Sequence, residues 1–236
     1  MSPGMTHHFG VLIPSTNTTG EIEYSRLLPP GWQAHYGRLM TSSATHSPFS
    51  PPRDEDVEYQ ARLLGTARVE VVFLLQTSAS LFADDFDAAS MRRMAAAGVP
   101  SFTSAMAIGE AMGALGARRV ALVSPYSEPV NASAKRYFEG RYGLEIVALE
   151  GFAATDSYAI GQLGPENARD AFARIDNPAI EAFIVPGGNF PTMASLPQWE
   201  REFKKPVVTT NQAALWAVRQ RLGSADRFPG LGRLLE

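Results

Sequence analysis

The sequence predicts an α/β fold of two pseudo-symmetric lobes, each a parallel sheet flanked by helices, with a site in the cleft between them. Three observations predict it. First, the chain repeats itself. Gly10-Val11-Leu12-Ile13-Pro14-Ser15 matches Ala121-Leu122-Val123-Ser124-Pro125-Tyr126, and Val71-Val72-Phe73-Leu74-Leu75-Gln76 matches Ala182-Phe183-Ile184-Val185-Pro186-Gly187, both at a spacing of 111 residues. Second, Gly98-Val99-Pro100 matches Lys204-Lys205-Pro206 at a spacing of 106, the slip that a loop of different length allows. Third, short strand-like runs alternate with helical ones, which implies parallel sheets with helices on both faces. Two copies of one α/β unit face each other across a cleft, and strand ends meeting there make a binding site.

The elements follow in order. Residues 8–14 read as a short buried strand, and Ser15-Thr16-Asn17-Thr18-Thr19-Gly20 after it as a small polar loop. Residues 21–28 open a helix, since hydroxyl and amide residues before it suit an N-cap. Residues 32–39 form a second strand. Residues 41–52 pack serine, threonine and proline around His46 and Phe49, a loop composition. Residues 54–64 are helical, and 69–75 are the continuous apolar run of a strand buried on both faces. A helix over 86–97 ends at Gly98, strand 99–103 follows, and helix 105–115 ends near Gly116. The second copy restarts at Arg118 with strand 120–124, helix 129–141 and strand 145–149. Helix 166–174, entered through Gly164-Pro165, precedes strand 182–185, which runs into Gly187-Gly188. Helix 199–203, strand 206–209 and helix 213–222 close the chain. The predicted division is a first lobe over 1–116 and a second over 117–212, with 213–236 packing back on the first.

The bulk numbers narrow the function classes. At 236 residues the chain has length enough for two small lobes with cores of their own. It is 45% hydrophobic and 19% charged, with net charge −3, so there is no basic patch to argue for nucleic acid. No apolar run approaches the ~20 residues that span a bilayer. The opening residues lack the apolar core of a signal peptide. A chain without cysteine has no disulfide, no thiolate metal site and no thiol catalysis. The expectation is a cytoplasmic protein.

Polar residues gather at the predicted C-terminal strand ends. The first copy contributes Ser15, Thr16 and Asn17, then Gln76, Thr77 and Ser78; the second contributes Tyr126 and Ser127, then Gly187, Gly188 and Asn189. Glycines there let a ligand approach backbone N–H groups. Hydroxyls, amides and N–H groups converging without a lysine suit a small carboxylate or dicarboxylate. Each such residue taken singly also suits a turn or a cap; it is the repetition in both halves that points to a site. Gln76 and Gly187 occupy matched positions, and neither can hold a titrating proton near neutral pH.

These residues carry a family resemblance. The run from Gly10 to Thr19 resembles the opening strand and loop of maleate cis-trans isomerases. Val72-Phe73-Leu74-Leu75-Gln76-Thr77-Ser78-Ala79-Ser80, Val123-Ser124-Pro125-Tyr126-Ser127 and Gly187-Gly188-Asn189-Phe190-Pro191-Thr192 resemble matching segments of those enzymes and of arylmalonate decarboxylases. Pro206-Val207-Val208-Thr209-Thr210, Leu215-Trp216 and Gly232-Arg233-Leu234 are similar to the decarboxylases. The resemblance covers nearly the whole chain and points to the aspartate/glutamate racemase superfamily. It implies a carboxylate cradle of Thr77, Ser78, Tyr126 and the Gly188 and Asn189 N–H groups, with Asn17 matching an isomerase asparagine. It also implies that the reactive cysteines of the family fall at Gln76 and Gly187. No cofactor is implied.

Moving a proton at the carbon next to a carboxylate needs an acid or base of suitable pKa, so a replacement carrier is sought. His46, in the proline-rich loop, is one candidate, though a lone loop histidine is more often solvated. Asp84, Asp85 and Asp87 precede or open a helix, where acids usually serve the dipole. Tyr126 suits binding better than acid catalysis because its ordinary pKa is about 10. Glu21 reads as helix-start chemistry. His7 and His8 point to opposite faces of a strand and His35 is isolated, so no metal site is expected. Phe82, Phe86, Phe190 and Trp216 read as core.

The expected function is a cofactor-independent isomerase or lyase, decarboxylase-like, acting on a small acid through an enolate-like intermediate. Two alternatives stand beside it. One is a catalytically silent carboxylate-binding protein; the other is a hydrolase or hydratase that activates water through His46 or an aspartate. Homologous folds often pair into dimers, so a homo-oligomer is an expectation with no interface patch in the sequence to carry it.

Overall fold

The computed structural model of the chain describes residues 7–40 and 50–236. The first half builds a sheet from β1 (His7–Pro14), β2 (Trp32–Leu39), β3 (Val71–Leu74) and β4 (Ser101–Thr103), in the order β2-β1-β3-β4. The second builds β5 (Arg119–Ser124), β6 (Glu145–Gly151), β7 (Ala182–Val185) and β8 (Val207–Thr209), in the order β6-β5-β7-β8. Every neighbouring pair is parallel. The two orders are the same order, so the repeat seen along the chain is a repeat of topology.

Burial explains the apolar runs. All four residues of β3 and all four of β7 are buried, because helices cover both faces of each sheet and leave no solvent side for a polar residue. The helices in the first half are α1 (Gly20–Leu27), α2 (Asp54–Thr66), α3 (Phe86–Met94) and α4 (Ser104–Leu115). In the second they are α5 (Glu128–Tyr142), α6 (Ser157–Gly161), α7 (Pro165–Ile175), α8 (Leu196–Phe203) and α9 (Thr210–Arg221). Gly116 stops α4 at φ 68°, the left-handed turn that costs glycine least. No helix of the described residues is long and apolar enough to cross a membrane.

The last helices of the two halves pack on each other. Arg221 of α9 forks onto Glu110 of α4 with two contacts of 3.1 Å, and its guanidinium lies 4.2 Å from the Phe102 ring centre. Beyond α9 the chain returns to the first half, where Trp32 Nε1 donates to Asp226 at 2.8 Å and the Trp32 ring meets Phe228. One apolar cluster therefore runs from Phe9, Phe73 and Phe102 through to Val120, Phe183 and Trp216. A smaller one, with Leu12, Val57 and Leu74, sits on the other side of the first sheet.

Most differences from the sequence reading lie at helix starts. The final helix begins at Thr210, three residues earlier than its apolar pattern suggests, because the Gln212 side chain turns back to accept the Thr209 N–H at 3.4 Å and ties down the first turn. Helix α8 begins at Leu196 with Pro197 in its first turn, where the missing proline N–H costs nothing. The 3₁₀ turn at Thr77–Leu81 and the short helix α6, capped by Asp156, were not expected at all.

Candidate functional site

In each sheet the two central strands, β1 with β3 and β5 with β7, are neighbours whose onward connections leave in opposite directions. That is where an open α/β sheet leaves a crevice at its carboxyl end. The loops after all four strands meet there. They enclose a cavity of about 40 Å³ lined by Thr16, Asn17, Gln76, Thr77 and Ser78 from the first half and by Tyr126, Gly187, Gly188 and Asn189 from the second. Pro14, Leu75 and Ile160 supply apolar wall, and Ser157 of α6 closes one side.

The first-half turn presents side chains. Thr77 is buried, and its hydroxyl lies 3.1 Å from Ser104 Oγ and 3.0 Å from Thr210 Oγ1. It also hydrogen-bonds the Tyr126 hydroxyl. Burial pushes that phenol well above its ordinary range, with the Thr77 bond opposing the shift, so Tyr126 is a neutral donor at physiological pH. Among the described residues lining the cavity, Tyr126 is the one with a titratable side chain.

The second-half turn presents backbone. Gly187 holds φ 113°, and its N–H donates to Thr210 Oγ1 at 2.8 Å. The Gly188 carbonyl accepts from Asn17 Nδ2 at 3.1 Å and from Asn211 Nδ2 at 3.3 Å. A trans peptide puts its N–H opposite its carbonyl, so pinning the Gly188 oxygen aims the Asn189 N–H the other way. Among the described residues, no acceptor takes the N–H of Gly188 or Asn189. The turn is clamped from behind by Glu23, a buried carboxylate of α1. It accepts from Thr192 N at 2.6 Å, Met193 N at 2.8 Å and Asn211 Nδ2 at 2.5 Å. Burial raises the Glu23 pKa against the pull of those three donors.

The cavity thus brings together Asn17, Gln76, Thr77, Ser78, Tyr126, Gly187, Gly188 and Asn189. Ser15 stays outside it, exposed, with its N–H on Leu39 and its carbonyl on Arg38. Asn17 lines the cavity, but its amide is committed to the fold: Oδ1 takes the N–H groups of Thr19 and Gly20 while Nδ2 holds Gly188. The Gln76 amide donates to Ser50 O at 2.8 Å. The Asn189 side chain bonds Thr18 and Ser157 and its carbonyl accepts from Thr19 Oγ1, leaving its backbone N–H for the cavity. His46 lies outside the described residues. Asp87 is buried away from the site beneath Thr103 and Tyr137, Glu21 pairs with Arg38, and His8 meets His35 toward the opposite end of the strands. Sequence reasoning missed Ser104 and Thr210. They stand 106 residues apart, the spacing of the third repeat match, and each follows a strand-ending threonine, so the signal was present. Glu23 and Asn211 left no such signal.

Two parallel sheets of one topology, with neutral hydroxyls, amides and backbone groups converging on a cavity at their carboxyl ends, define a class of α/β proteins with a site between repeats. The arylmalonate decarboxylase profile matches residues 49–235, and the chain belongs to that family. The arylmalonate decarboxylase of Bordetella bronchiseptica is 31% identical, over 100% of this chain and 99% of that one. A cysteine-to-alanine variant of the maleate isomerase Iso from Pseudomonas putida S16, solved with maleate, superposes with a TM-score of 0.88 at 26% identity, covering 98% of this chain and 97% of that. A cysteine-to-serine mutant of the Nocardia farcinica maleate cis-trans isomerase, solved with a covalently bound succinylcysteine intermediate, gives 0.85 at 26% identity, covering 98% of each. The chain lies in the maleate isomerase and arylmalonate decarboxylase branch of the aspartate/glutamate racemase superfamily.

Proposed function

We propose that the chain is a cofactor-independent isomerase or lyase of small carboxylic or dicarboxylic acids that works through an enolate-like intermediate and without a thiol. The observation that carries this reading is the cavity itself, where Thr77, Ser78, Tyr126 and the Gly188 and Asn189 N–H groups converge from both halves. Such donors stabilise the oxygens of an enediolate more than those of the ground-state acid, worth roughly 3–4 kcal/mol per well-placed donor in other enzymes. The relatives support the substrate class: one solved maleate isomerase holds maleate, and the decarboxylase relative is named for arylmalonates.

Within that class the site suits decarboxylation best. The cleaving C–C bond leaves its electron pair on the α-carbon, which delocalises it onto the retained carboxylate in the cradle. No base is needed for that step, and water or Tyr126 then delivers a proton to the carbon. The apolar wall of Leu75, Pro14 and Ile160 suits the carboxylate that departs as CO₂. We place the cysteine positions of the family at Gln76 and Gly187. The succinylcysteine held by the Nocardia farcinica mutant has no counterpart in a chain without cysteine.

A second reading, a binding protein that keeps the cradle and does no chemistry, is favoured by the lining itself, where among the described residues Tyr126, held neutral by burial, is the one titratable side chain. Proton NMR in D₂O with phenylmalonate, maleate and aspartate separates the two. Loss of CO₂ with deuterium at the α-carbon, above a protein-free control, is the expected result. Line broadening of an acid that stays chemically unchanged would leave the binding protein, and silence across the panel would overturn both.

A further inference from the structure

Ser104 and Thr210 stand behind the cavity. Thr210 Oγ1 accepts the Gly187 N–H at 2.8 Å and lies 3.0 Å from Thr77 Oγ1; Ser104 Oγ lies 3.1 Å from the same atom. All three hydroxyls belong to buried residues. A threonine hydroxyl is ordinarily a rotor that gives or takes as its neighbours require. Here one end of the chain of bonds cannot turn, because a backbone N–H can only donate. Thr210 receives the Gly187 proton, so its own proton goes to Thr77, the other partner within its reach. Thr77 therefore receives, and its own proton is left for the Tyr126 hydroxyl, which it also bonds, or for a ligand oxygen in the cavity beside it. Ser104 can fill the second lone pair of Thr77 when that proton goes to a ligand.

We propose that Thr210 is a positioning residue that sets the Thr77 hydroxyl as a donor, making the cavity selective for an ionised carboxylate over the neutral amide of the same shape. The inference rests on the carboxylate reading above and deepens it into a rule of selection. A carboxylate only accepts, whereas an amide group also presents donors. A Thr77 free to rotate would accept from the amide N–H and lose the distinction. The device joins the two halves, since Gly187 belongs to the second and Thr77 to the first.

The test titrates phenylmalonate, maleate and their diamides calorimetrically, at about pH 8 where the acids are ionised, into wild type, Thr210→Val and Thr210→Ser. The acid-to-diamide preference should fall about tenfold in Thr210→Val, the scale of one charge-assisted hydrogen bond, and return in Thr210→Ser. A merely structural role would weaken acid and diamide alike; a ratio that stays constant overturns the proposal. Should Thr210→Val fail to fold by thermal melting, Thr210→Ala carries the same expectation. The wild type adds a second measurement. The buried Thr210 hydroxyl proton should show a nuclear Overhauser contact to Thr77, and a Thr77 hydroxyl proton directed at Thr210 instead would overturn the direction. Wild type that binds acids and diamides equally overturns this inference alone, while wild type that binds neither acid defeats the carboxylate reading and this inference with it.

Discussion

The turn after β3 and the turn after β7 occupy the same place in the two halves and do different work. The first enters a 3₁₀ turn at Thr77 and sends hydroxyls toward the cavity. The second passes through Gly187 at φ 113° and offers N–H groups with no side chain in the way. Matched topology has therefore not produced matched chemistry. The turn after β3 supplies donors that can rotate; the turn after β7 supplies donors that cannot. The fixed turn orients the rotating one through Thr210, which touches both.

The comparison can be broken from either side. Removing the rotating donor should cost most: Thr77→Val should lower turnover of whichever acid reacts by roughly a hundred- to a thousandfold, read as kcat/KM by NMR. Deforming the fixed side comes next. In Gly187→Ala the new Cβ would lie 2.9 Å from Pro125 Cγ in a backbone region that other residues avoid. Urea denaturation should show a loss of about 1–3 kcal/mol, with acid binding weaker by about tenfold.

Tyr126→Phe should weaken acid binding by roughly tenfold while leaving the protein folded, read by calorimetry. The pH dependence sharpens this one. The folded Tyr126 hydroxyl keeps its proton above its ordinary value of 10.0, because burial disfavours the phenolate. Its contribution to stability is thus complete below the unfolded pKa and is lost as pH rises past it. Acid binding should stay level between about pH 6 and 9, and Tyr126→Phe should make the alkaline fall in stability shallower. Ser15→Ala should matter least, under about twofold in binding, since Ser15 is exposed outside the cavity; a larger effect would mean that the first-half loop closes over the ligand.

Much of the site was legible because it follows strand ends, and strand ends announce themselves. Each strand buried on both faces must be apolar throughout, so the first residue that breaks the apolar run marks where it leaves the sheet, as at Gln76 and Gly187. Thr77, Ser78, Gly188 and Asn189 follow directly. What was not legible depends on partners far along the chain. Glu23 looks like an acid in the first turn of a helix, where the dipole alone would justify it. Only the fold brings Thr192, Met193 and Asn211 to it. Asn17 reads as a residue that could bind a ligand, yet its amide is spent holding Gly188. Gln76 likewise finds Ser50. Polar side chains have many uses, and which one is taken is a matter of distance.

The sequence by itself determined the two repeats, the strand and helix order, the four loops that meet and the absence of any thiol, because periodicity and residue chemistry are local properties. The tertiary structure alone decided which donors are spent and which are offered, that Ser15 stands outside, and that Ser104 and Thr210 stand behind Thr77. Hydrogen bonds form over about 3 Å between atoms whose residues lie up to 194 positions apart, and no local pattern in the chain records those meetings.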